Sequence, residues 1–77
     1  QVWMAFNQGN RRITAEIALA NAIGQLSPDH QEVVVLRNLQ RLPFDEVALR
    51  MNRSRPATQM LWMRAIKHLE ELLRESP

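Results

Sequence analysis

Between Arg50 and Lys67 the chain carries Arg50, Arg53, Arg55, Arg64 and Lys67 and no acidic residue. Guanidinium and ammonium groups at this density neutralise phosphate, so the chemistry on offer is the grip on a polyanion, not bond making. On a helix, Arg55, Gln59, Met60, Met63, Arg64 and Lys67 share one forward face. Gln59 brings a carboxamide able to read adenine. Met60 and Met63 bring flexible thioethers suited to thymine methyls, to a protein partner or to packing against a neighbouring helix. The net charge is only +2, and beyond the basic stretch Glu70, Glu71 and Glu75 outweigh Arg74. A basic patch with an acidic end suits oriented docking on phosphates, against the alternative of a merely solvated helix face.

The other reactive side chains are badly spaced for catalysis. His30 and His68 lie far apart, with no His, Cys or carboxylate at ligand spacing, and are expected at the surface without a metal. Asp45–Glu46 and Glu70–Glu71 are adjacent pairs, splayed by roughly 100° on a helix, so neither forms a converging acid/base couple. Gly9 and Gly24 are isolated and build no phosphate loop, while Ser27 and Ser54 read as helix caps. The chain is therefore expected to be no enzyme, to hold no cofactor or metal, and to take no small-molecule substrate. With 77 residues and no cysteine it makes one small domain held by packing, in keeping with a cytoplasmic setting. The longest apolar run, Val2 to Phe6, is five residues, too short to span a membrane.

Helices must position the basic face. Ile13, Ile17, Ala20, Ile23 and Leu26, with Leu19 and Ala22 beside them, recur at helical steps and predict a first helix from Arg11 or Thr14 to about Gln25. Ser27-Pro28-Asp29 supplies a cap, a first-turn proline and an acid, starting a second helix that is read to about Arg41 despite Val33-Val34-Val35. Leu42-Pro43 breaks it. A third helix, Phe44 to Met51, opens on Asp45 and Glu46 and closes on Asn52, the residue that after glycine best tolerates positive φ. Ser54 caps a fourth helix, with Pro56 in its first turn, running to about Arg74. Its inner face should be Thr58, Trp62, Ala65, Leu69 and Leu72 or Leu73, with Trp62 in the core. The Leu42–Leu69 stretch is thus a helix-turn-helix, an arrangement that presents the front of its second helix to base edges.

Residues Leu26 to Leu73 resemble region 4 of bacterial sigma factors, specifically the extracytoplasmic-function type of the sigma-70 family. The likeness runs through LSPDHQEVVVLRNL, then LPFDEVALRM, then the Arg53-Ser54 turn and WMRAIKHLEELL, about two thirds of the chain. It implies an all-α fold, a small four-helix domain of the winged-helix-like, sigma region 4 type with a long C-terminal recognition helix. Residues 1–10 would be a linker or helix extension and 11–77 the domain, a fragment of a larger chain. Implied partners are double-stranded promoter DNA at the minus 35 element, the β flap of RNA polymerase core, and an anti-sigma factor. Carried across, the recognition turn is Arg55, Ala57, Thr58, Gln59 and Met60, followed by Met63, Arg64 and Lys67, with Arg53 and Ser54 near phosphate. Arg50, Arg53 and Lys67 would set the register on the backbone while Arg55, Gln59 and Arg64 touch bases. Four neutralised phosphates would give a slope of log affinity on log salt of about −3 to −4. The family commonly has a small residue at Pro56 and basic or hydroxylic residues at Gln59, Met60 and Leu61, so this face is less basic than usual.

Two alternatives accompany this reading. One is the effector domain of a LuxR-type regulator, which has a similar four-helix plan but dimerises through its last helix. The other is a helical module that mainly binds protein, an anti-sigma factor or polymerase, through Met60, Leu61 and Met63.

Overall fold

Val33, Val34 and Val47 are almost wholly withdrawn from solvent and mark where the core lies. In the computed structural model, which describes residues 11–75, four α-helices converge on them. These are α1 (Arg11–Gly24), α2 (Pro28–Val34), α3 (Phe44–Met51) and α4 (Arg55–Glu75), with a π-helical segment, Val35–Leu39, continuing α2. No strand occurs among the described residues. The linker or extension expected over residues 1–10, with its VWMAF segment, and the side chain of Ile13 lie outside that description.

The β-branched triplet is helical, as the flanking pattern requires. Burial of Val33 and Val34 against α4 outweighs a propensity penalty below about 1 kcal/mol per residue. Ser27 caps α2, its Oγ accepting from the His30 backbone N–H at 3.5 Å, with Pro28 at the first turn. The end of α2 departs from expectation: α-geometry stops at Val34, and the Gln40 N–H reaches back five residues to the Val35 carbonyl at 2.9 Å. Arg41, at φ 57°, reverses the chain, so helix gives way just before the residue at which it was expected to end.

A side-chain clamp fixes that wide turn. The Arg37 guanidinium donates to the Leu42 carbonyl at 2.9 Å and lies 4.4 Å over the Phe44 ring. Phe44 meets Trp62 edge-on at 5.6 Å, and Trp62 Nε1–H donates to Asn38 Oδ1 at 2.7 Å. Trp62 is consequently a half-buried rim residue with its polar end satisfied, not the fully buried core residue its spacing suggested. The clamp ties the π segment to the start of α3 and the middle of α4.

On α1 the buried stripe is Leu19, Ala22, Ile23 and, just past its end, Leu26, while Ile17 and Ala20 face solvent. The helical step was right and the face was turned by a residue or two. His30 and His68, expected apart at the surface, are half-buried and meet edge-on at 6.3 Å, because the first turn of α2 crosses the later part of α4. His30 Nδ1 is buried without a hydrogen-bond partner.

Candidate nucleic-acid interface

The turn between α3 and α4 is built by backbone hydrogen bonds that leave no slack. Asn52 is left-handed at φ 54°, its N–H donating to Leu49 O at 3.2 Å while the Arg53 N–H donates to Ala48 O at 3.0 Å. This double closure satisfies the last carbonyls of α3 and turns the chain sharply. Ser54 then caps α4, its Oγ accepting from the Ala57 N–H at 3.2 Å and its carbonyl from the Thr58 N–H at 2.9 Å. Pro56 occupies the first turn, where its missing N–H forfeits nothing. At 1.5 Å per residue the 21 residues of α4 make a rod of roughly 31 Å.

Most of the sequence-picked residues lie on the outward side of this unit. Arg50, Arg53, Ser54, Arg55, Met60, Met63, Arg64 and Lys67 are exposed, and Gln59 is half-buried. Thr58 is corrected. It is 0% exposed, and its Oγ1–H donates to the Ser54 carbonyl at 2.8 Å, so it belongs to the core face that its spacing also indicated and cannot meet a ligand. Leu61 is half-buried and packs partly against the core, so it contributes less to the Met60, Leu61, Met63 surface than either methionine.

The exposed cations fall into two electrostatic groups. Near the turn each is held by a carboxylate: Arg50 Nε by Glu46 Oε1 at 3.2 Å, Arg53 Nη2 by Asp29 Oδ2 at 2.7 Å, and Arg55 Nη1 by Asp45 Oδ1 at 3.2 Å. Such exposed pairs stabilise the fold by only about 0–1 kcal/mol, yet they offset positive charge where it was expected to act. Further along α4, Arg64 and Lys67 have no ion pair among the described residues.

The acids Asp29, Asp45 and Glu46, which the sequence reading assigned to complementing helix dipoles, are also the partners of these three arginines. Glu46–Arg50 was detectable from its four-residue spacing. Asp45–Arg55 depends on the turn folding α3 back toward the start of α4, and Asp29–Arg53 on the packing of α2's first turn beside it.

The family described as "Sigma-70, region 4" matches residues 16–69. Among solved structures, a chain of the 1.8 Å RsbN-BldN complex is similar, with 34% identity and a TM-score of 0.74 over 84% of this chain and 47% of that one. The present chain therefore spans about half the length of that relative. No curated protein matches significantly.

Proposed function

The chain belongs to the sigma-70 region 4 family and so carries a sigma factor's DNA-binding role, and from that premise we propose that it recognises the minus 35 promoter element. The parent is of the extracytoplasmic-function type and works in the cytoplasm with RNA polymerase core, docking on the β flap. No catalytic role is assigned. The observation that carries this reading is the outward face of α4 from Arg55 to Lys67, a stretch of helix with no acidic residue of its own, presented by a tight turn as a recognition helix is presented to the major groove. Family membership replaces the LuxR-type alternative.

Within this reading Arg55, Gln59 and Arg64 face the base edges, while Arg50, Arg53 and Lys67 lie toward phosphate, and Ser54 holds the helix start. A good bidentate pair, such as Arg55 on guanine or Gln59 on adenine, discriminates by about 1–3 kcal/mol. For Arg50, Arg53 and Arg55, engaging DNA exchanges a carboxylate partner for a phosphate or a base. A domain this small binds weakly alone, and linkage to polymerase raises its effective concentration on the promoter.

The test is selection from random duplexes in the presence of polymerase core, followed by Arg55→Ala and Gln59→Ala. The selected sequence should be bound at least tenfold more weakly by each variant while polymerase association holds. Loss of polymerase association with intact DNA binding would refute the assignment of this face.

A second reading has its own support. Leu49, on the outer side of α3, is 77% exposed, and the similar solved chain comes from a two-protein complex. An apolar side chain so open suits a protein partner such as an anti-sigma factor beside the DNA face. Leu49→Asp should abolish capture by that partner and leave duplex binding within about twofold, since it touches no proposed base contact.

A further inference from the structure

Met60 and Met63 are 56% and 64% exposed in the middle of a helix whose other face supplies the core. Their neighbours give the exposure meaning. Arg64 follows Met60 by four residues and Lys67 follows Met63 by four, so along one stripe of α4 each thioether lies one turn ahead of an unpaired cation. The surface asks for a partner that is anionic at its edges and apolar at points a few ångströms inward. A duplex major groove meets both demands: phosphates line its walls, and the 5-methyl group of thymine is the apolar group that projects from its floor. Methionine suits that contact, because three rotatable bonds let its polarisable tip settle on a small apolar target without a fixed register.

Resting on the DNA-binding reading above, we propose that Met60 and Met63 are specificity-determining residues that read thymine methyl groups, giving the preferred site one or two thymines opposite the middle turns of α4. Lys67 anchors that part of the helix to the flanking backbone, and Arg64, at the base edges, helps hold the thioethers at the groove floor. The site differs from one read by hydrogen bonds alone: its discrimination resides in a methyl group, and deoxyuridine, which pairs identically, lacks it.

The experiment follows from that difference. Fluorescence anisotropy of the 77-residue chain is measured at low salt on a selected duplex, with each thymine replaced singly by deoxyuridine. Removing a methyl in apolar contact should weaken binding by roughly three- to fivefold at one or two positions and leave the others unchanged. Met60→Ala and Met63→Ala, both at exposed positions that leave the core intact, should each erase the deoxyuridine penalty at one position. Sequence-specific binding indifferent to every thymine-to-deoxyuridine change would overturn the methyl assignment and leave the DNA reading standing. A deoxyuridine penalty that survives both methionine variants would overturn it too, assigning the methyl contact to other residues. Failure of the chain to prefer any duplex sequence, with or without polymerase core, would remove the DNA reading itself and this inference with it.

Discussion

The two ends of the outward face of the helix-turn-helix carry the same kind of charge in opposite states. Around the turn, Arg50, Arg53 and Arg55 each have a carboxylate partner, whereas on the middle of α4 Arg64 and Lys67 have none among the described residues. Counting cations treats the five as equals. Their surroundings divide them into groups that must first release a partner and groups that gain one outright. A paired arginine adds little net attraction but meets its ligand already oriented; an unpaired one adds its full charge but has no imposed direction. The cations of the turn end thereby bring orientation and those of the mid-helix end bring attraction.

The strongest way to break this contrast is to remove the unpaired cations. Arg64→Ala with Lys67→Ala should lower duplex affinity by about 2–4 kcal/mol, read by anisotropy, because no carboxylate offsets their charge. Equal loss from Arg50→Ala with Arg53→Ala would show that pairing makes no difference. A smaller effect, of opposite sign, comes from freeing the turn. Asp29→Asn, Asp45→Asn and Glu46→Gln together should tighten non-specific duplex binding by about tenfold, roughly 1.4 kcal/mol. The same variant should steepen the slope of log affinity on log salt from about −2, for two effective cations, to about −4. A wild-type slope already near −4 would mean that the carboxylates are displaced without consequence. Thr58→Val sharpens the boundary between the face and the core: loss of its bond to Ser54 should destabilise the domain by about 1 kcal/mol in urea denaturation, with duplex affinity of the folded protein unchanged. Smallest of all, Glu46→Gln alone should alter stability by less than about 0.5 kcal/mol, as for any exposed pair one helical turn apart.

Local rules accounted for much of this. Ser27, Asn52, Ser54 and Pro56 do what their chemistry dictates, and α3 has the expected bounds, because caps and turns are decided by a few neighbouring residues. Features that depend on distant residues were not legible. Asp29 and Arg53 are 24 positions apart, as are Asn38 and Trp62, and neither spacing hints at a bond. Nor could it reveal that His30 meets His68, since only the crossing of α2 and α4 brings them together. Thr58 was legible in two incompatible ways, as a core position by helical step and as a DNA contact by likeness. The solvent-free position of its side chain decides for the first.

The π-helical segment Val35–Leu39 has a consequence for chain length. Its closing bond spans five residues where an α-turn spans four, so it holds one residue more than the path between Val34 and Gln40 requires. Insertions and deletions in a core helix ordinarily rotate everything beyond them by about 100° and scramble the buried face. Here a deletion can be absorbed by tightening the turn. Leu39 is 57% exposed and takes no part in the clamp of Arg37, Phe44, Trp62 and Asn38. Removing it should let the segment close as ordinary α-helix with the outward face of α4 undisturbed, a one-residue tolerance in the middle of the fold that urea denaturation of the deletion variant would read.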